Sequence, residues 1–251
     1  MNTTPRPKVL AVIPARYESS RFPGKVIALL QGKPLVYHAY ARACEASLVD
    51  EVIIAADDQR IVDALAPFGA RVMMTRNDHN TGTDRVAEVA AQSEADIIVN
   101  VQGDEPLIDP RVIDDAVRPL LEDAALPMST ARRRLTDLAE MADPNVVKVV
   151  TGVNGRALYF SRLPIPYVRD TAAHPAPGAP CYQHIGIYVF RKEFLFTFAK
   201  LPQTPLEKLE KLEQLRVLEH GYPIAVVETS YLAIGVDTPQ DLERVRALMA
   251  K

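Results

Sequence analysis

The chain has 251 residues, of which 48% are apolar, with 29 Lys and Arg against 32 Asp and Glu. A formal net charge of -3 excludes the broad positive field that nucleic-acid binding draws on, and two cysteines exclude a disulfide framework. The length suits one domain over residues 1–251 with an elaboration, and no apolar run reaches signal-peptide or membrane-spanning length, so a cytoplasmic location with no integral membrane partner is expected.

KVLAVI at residues 8–13 is an apolar run of strand length, and Pro34 to Ala46 reads as an amphipathic helix opened by a proline. Between them VIPARYESSRFPGK crowds Arg16, Arg21 and Lys25 around Gly24. Glu51 to Ala55 then reads as a strand, Asp58 to Ala66 as a helix and Arg71 to Met74 as a short strand. After the polar loop NDHNTGT, residues 84–91 read as helix, and DIIVNV at 96–101 is the clearest central strand, followed by a helix from Asp109-Pro110. This alternation predicts an α/β sheet.

The second half is less regular. Residues 128–134 read as a strand, and residues 145–160 as a hairpin turning at Asn154-Gly155. Residues 161–181 are a Pro- and Ala-rich surface excursion, and 182–190 return to strand. Residues 205–221 are expected to form one helix in which Leu206, Leu209, Leu212, Leu215 and Leu218 make a single apolar surface. A strand at 223–227, a turn at Gly235-Val236-Asp237-Thr238-Pro239 and a helix from Pro239 to Met249 close the chain.

Two polar loops carry chemistry. Arg16, Arg21 and Lys25 around Gly24 have the groups to hold a triphosphate, the alternative being a solvated basic loop. The GxxxxGK[ST] and GxGxxG patterns are absent. Asp104, after the strand 96–101, and Asp237 are two carboxylates of the kind that hold magnesium with phosphate oxygens, or else residues of a turn and a helix start. His79 and His184 lack a zinc-like spacing and read as structural hydrogen bonders, and Glu213 and Gln214 as solvent-facing positions of a helix. Loops after the carboxyl ends of strands meet in open α/β sheets, so Arg16 and Asp104 are expected to converge.

PARYESSRFPGK, NDHNTGTDR, NVQGDEP, ALYFSR with the following Ile165-Pro166, QHIGIY, LEKLEQLR and GVDTP occur in this order from Val9 to Arg246. Together they resemble the 3-deoxy-manno-octulosonate (Kdo) cytidylyltransferase family, also called CMP-Kdo synthetases. The resemblance implies a sugar-nucleotidyltransferase fold, with a Rossmann-like mixed sheet flanked by helices. It also implies a smaller acceptor-binding and dimerisation elaboration over roughly 128–220, a homodimer, and a Mg2+-dependent transfer of CMP from CTP to Kdo for lipopolysaccharide biosynthesis.

By the same resemblance Ala15, Arg16, Arg21 and Lys25 hold the triphosphate, while Arg76, Thr81, Gly82 and Thr83 lie near the cytosine and ribose. Thr81 stands where the family often has Ser. Asp104 and Asp237 are the implied metal ligands, and Arg16, Lys25, Asp104 and Asp237 the implied catalytic set. Gln102, His184, Glu213 and Gln214 fall on segments associated with the acidic sugar, with Arg162 as complement to its carboxylate. An 8-amino analogue of Kdo or another 2-keto sugar acid is the nearest alternative acceptor, and an inactive nucleotide-binding protein is the alternative of another class.

Overall fold

The computed structural model describes residues 6–19, 22–169 and 180–250. The first strand, β1 (Val9–Ala15), is buried on both faces, which is why its sequence is continuously apolar instead of alternating. Its odd positions Val9, Ala11 and Ile13 pack on one side with α1 (Leu35–Cys44), α2 (Gln59–Leu65) and α4 (Pro110–Glu122). Its even positions Leu10 and Val12 pack on the other with α3 (Gly82–Ala91), α6 (Lys192–Lys200) and α8 (Gln214–Glu219). Each fully buried aliphatic side chain of this kind contributes roughly 1.5–3 kcal/mol.

A short ribbon, β2 (Leu29–Leu30) with β3 (Lys33–Pro34), precedes α1. On the main sheet β1 pairs in parallel with β4 (Glu51–Ala56) on one side and β6 (Ile97–Asn100) on the other, and β5 (Val72–Met74) continues from β4. The chain therefore runs outward from β1 through β4 and β5 and returns to β6 across it, which creates the crevice where open α/β sheets place ligands. Beyond β6 the order continues through β10 (Cys181–Arg191), β7 (Met128–Leu135) and β11 (Ile224–Thr229). Because β10 is antiparallel to both β6 and β7, the sheet, nine-stranded among the described residues, is mixed. The short α5 (Leu138–Ala142) leads from β7 toward the antiparallel hairpin β8 (Lys148–Thr151) and β9 (Ala157–Ser161), with Gly155 at φ 72° in its turn.

The register of β10 on β7 shifts between Ile185 and Tyr188. This bulge is held by Thr130, whose hydroxyl donates to Ile187 O at 2.6 Å. The Gly186 carbonyl accepts from Gln102 Nε2 at 3.0 Å, which ties the bulge to the loop after β6. Bulges re-aim side chains near sites in this way.

Two expectations are corrected. Residues 205–221 form two helices, α7 (Pro205–Glu210) and α8, separated by Lys211 in the left-handed region at φ 54°. The break has visible partners: the Arg162 guanidinium donates to Glu210 O at 2.6 Å and Lys211 O at 3.4 Å, satisfying carbonyls that a continuous helix would bond internally. Arg216 reaches back to Glu207 through two bonds of 2.8 and 2.5 Å, a buried pair that fixes one short helix on the other. The leucines accordingly do not share a face, since Leu212 and Leu215 are buried while Leu209 is 80% exposed. The second correction is α6, an element absent from the sequence reading. Its KEFLFTFAK follows β10 directly, and its aromatics read equally well as a continuation of YVF. The last helix, α9 (Pro239–Met249), begins at the proline of GVDTP as expected. No helix among the described residues is long and apolar enough to cross a membrane.

Candidate active site

Four segments meet at the carboxyl ends of the parallel strands. Ala15 ends β1 with its side chain buried, and Arg16 follows it out of the sheet. The chain then turns back at Gly24, whose φ of 69° favours glycine and whose N–H donates to Tyr17 O at 3.1 Å. That turn starts a short 3₁₀ segment at Lys25 and points its ammonium group inward.

The loop after β6 supplies Gln102, Gly103 and Asp104. Gly103 is favoured by close approach: a β-carbon there would sit 3.2 Å from Pro14 O and 3.3 Å from the Val36 Cγ2 and Ile13 Cγ2 methyls. The fourth segment is the turn before α9, anchored when Val236 N donates to Asp104 O at 2.9 Å.

Lys25 Nζ joins these segments, donating to Asp104 Oδ2 at 2.7 Å and to Asp237 Oδ1 at 3.1 Å. Burial pulls the Lys25 ammonium toward the neutral form, but the two carboxylates outweigh it and its pKa lies above the ordinary lysine value. Arg16, Lys25, Gln102, Asp104 and Asp237 line one open cavity of about 410 Å³, together with Gly82. The expected convergence of Arg16 and Asp104 is thus present. Among the described residues no group of three or more His, Cys, Asp or Glu forms a metal cluster. Arg21 lies outside the described residues.

Asp237 is aimed by a capping box. Thr238 Oγ1 accepts from Asp241 N, while Asp241 Oδ2 accepts from the backbone N–H groups of both Thr238 and Asp237. Thr238→Ala is expected to cost about 1 kcal/mol in urea unfolding. A change below about 0.3 kcal/mol would show that the box contributes nothing to this turn.

The loop containing Arg76 and Thr81 forms another wall. Thr81 caps α3, so this helix starts at Gly82, two residues earlier than expected. Thr81 and Gly82 line a second cavity of about 550 Å³ with Arg16 and Glu213. Thr83 donates to Glu213 Oε2 at 2.8 Å, linking α3 to the α7–α8 break. Arg76 is largely exposed, with its Nε 3.2 Å from Asp78. His79 pairs through Nε2 with Glu88, the structural role expected of it.

The residues associated with the acceptor are placed less uniformly. Gln102 lines the first cavity, and Glu213 the second. Glu213 Oε1 is buried with no hydrogen-bond partner, and burial raises its pKa against the opposing bonds from Thr83 and Thr81. Gln214 is buried instead of solvent-facing: its Oε1 accepts from Tyr188 OH at 3.1 Å and its buried Nε2 has no partner. His184 is buried between Phe160 and Tyr188. Arg162 donates to three backbone carbonyls, those of Pro144, Glu210 and Lys211, and lines neither cavity.

Sequence reasoning missed Glu105 and Tyr231. Glu105 is buried beneath Asp104; burial first and the Asp104 charge second raise its pKa to about 7, and it accepts from Tyr231 OH at 3.3 Å. The run GDEP carries no signal that separates its buried carboxylate from its accessible one.

The cytidylyltransferase family profile matches residues 10–228. A 3-deoxy-manno-octulosonate cytidylyltransferase of Syntrophotalea carbinolica is 56% identical over 243 residues, covering 95% of this chain and 97% of the relative. A solved CMP:2-keto-3-deoxy-manno-octonic acid synthetase complexed with CTP superposes with a TM-score of 0.91 at 46% identity, covering 97% of this chain and 98% of that one. A cytidylyltransferase from Leptospira borgpetersenii, 17% identical, shares the fold at a TM-score of 0.63, with coverage of 97% and 87%. With its mixed sheet, its basic loop and its paired aspartates at the strand ends, the chain belongs to the 3-deoxy-manno-octulosonate cytidylyltransferase family.

Proposed function

We propose that this enzyme transfers CMP from CTP to the anomeric hydroxyl of Kdo and releases pyrophosphate. The observation that carries the reading is the Lys25 ammonium held between Asp104 and Asp237 in the cavity that Arg16 also lines. An in-line attack by the sugar oxygen on the α-phosphorus needs two things from the protein: charge placed along the triphosphate, and an acceptor held against it. Arg16 offers a planar fork to phosphate oxygens, and Lys25 a point charge that follows the leaving pyrophosphate.

Magnesium fits this donor set, because the two carboxylates open onto a cavity and oxygen ligands suit it; Asp104 and Asp237 would hold it. When bound it supplies charge neutralisation on the triphosphate. The acceptor is assigned to the side of Gln102, Glu213 and Gln214, where the buried Glu213 Oε1 and Gln214 Nε2 have no hydrogen-bond partner. No cysteine nucleophile enters this reading: Cys181 is buried and burial raises both thiol pKa values.

A homodimer and a cytoplasmic role in lipopolysaccharide synthesis complete the proposal. The exposed Leu158 and Leu163 on and just beyond β9 support a self-associating surface on the elaboration of residues 128–220.

The test is pyrophosphate release from CTP with Kdo, 8-amino-Kdo or sialic acid, with no-acceptor and no-metal controls. Faster, metal-dependent release with Kdo is expected. Preference for another acceptor would retain the cytidylyl transfer and replace its product, and release with none of them would favour a nucleotide-binding protein.

A further inference from the structure

We propose that Arg85, which itself lines none of the cavities described here, is the positioning residue that shapes the CTP-binding edge. It sits on α3 with its side chain fully buried. Its guanidinium donates to Asp57 Oδ2 at 3.2 Å, to Thr75 Oγ1 at 2.5 Å and to Arg76 O at 3.1 Å. Asp57 follows β4, and Thr75 and Arg76 follow β5, so one side chain gathers two loops at the carboxyl edge and fixes them to the helix that Thr81 caps.

The relay continues to β1. Asp57 Oδ1 accepts from Tyr17 N at 2.9 Å, and Tyr17 is the residue after Arg16. Asp57 and Arg16 also line a common cavity of about 410 Å³ with His79. Arg85 therefore does two things: it orients the carboxylate that holds the Arg16 loop, and it neutralises that carboxylate. Without it Asp57 becomes an uncompensated charge beside Arg16, free to compete with phosphate for the same cation.

Fold stability alone is a poor account of this residue. Its Nε is buried without a hydrogen-bond partner, and a buried ion pair with an unmade bond is a weak stabiliser compared with an apolar side chain of similar volume. What the planar fork supplies is geometry across separate loops, which a point charge does not reproduce.

The inference rests on the CTP reading above and is tested by calorimetric titration of CTP with magnesium into the free protein, which requires no acceptor. Arg85→Lys keeps the charge and loses the fork, and should weaken CTP binding on the order of 10-fold. Arg85→Met loses both and should weaken it on the order of 100-fold, and adding Asp57→Asn to it should recover about 10-fold by removing the released charge. In turnover, the CTP KM should rise while the Kdo KM stays within about twofold, a split that general loosening of the fold does not produce. Thermal melts confirm that each variant is folded at the assay temperature; should Arg85→Met not fold, Arg85→Lys carries the decision alone. Wild-type affinity in folded Arg85→Lys, or both KM values rising together, would overturn the proposal while leaving the function intact. Wild-type protein that binds no CTP would overturn both.

Discussion

Asp104→Asn and Asp237→Asn are each expected to lower kcat at saturating CTP and Kdo on the order of 10³-fold, with the fold retained. The fold survives because Lys25 keeps one carboxylate when the other is neutralised, and Asp237 is about half exposed, where an ion pair is worth little to stability. Activity is expected to be lost, because in the proposed reaction the pair acts on one substrate group from two loops. Neutralising either leaves Lys25 paired to its neighbour and the triphosphate facing a single carboxylate-held position. The double variant should therefore be less than about 10-fold worse than the worse single one, as for groups that act as a unit. Pyrophosphate release measured across a magnesium series checks this. Unchanged, metal-dependent turnover in either single variant would remove that aspartate from the mechanism.

How far the sequence announced this site depends on what local chemistry each residue has. The placement of Asp104 and Asp237 was legible because each sits in a turn pattern that fixes backbone direction, with the strand DIIVNV ending just before GDEP and Thr238-Pro239 starting a helix immediately after Asp237, while a role for the pair came only from the resemblance. Arg16 and Lys25 stood out as cations beside a glycine at the end of an apolar strand, a pattern that a solvated basic loop fits equally well, so their triphosphate roles came from the resemblance. The α7–α8 break was not, since its causes lie elsewhere in the chain: Arg162 comes from the segment after β9, and the Leu spacing alone favours an unbroken helix. The same holds for Gln214, whose burial is set by Tyr188 on β10, and for Arg85, whose partners lie on loops 10 and 28 residues away. A charged residue on a helix reads as solvent-facing until the loops that cover it are known.

His184 should reveal itself in the acid unfolding of the protein. Burial alone pushes its pKa from the ordinary 6.5 down to about 3, with Phe160 and Tyr188 against the ring and Thr130 Oγ1 2.8 Å from Nε2. Because the Thr130 hydroxyl donates to Ile187 O, it accepts from the ring, which puts the histidine proton on Nε2 in the neutral form. The sign follows from proton counts. Between pH 6.5 and 3 the unfolded chain carries the His184 proton and the folded one does not, so stability falls as pH falls through that window, by roughly 5 kcal/mol at full extent. Glu105 acts in the opposite sense: with its pKa raised to about 7, the folded protein gains from its protonation as pH falls toward 4.5. The wild-type curve should hence be shallow above about pH 4.5 and steep below it. Urea unfolding of His184→Asn isolates the histidine: the wild-type minus variant stability should shrink by roughly 4 kcal/mol between pH 7 and pH 3, and a difference independent of pH would mean that His184 titrates in the fold as it does in the unfolded chain.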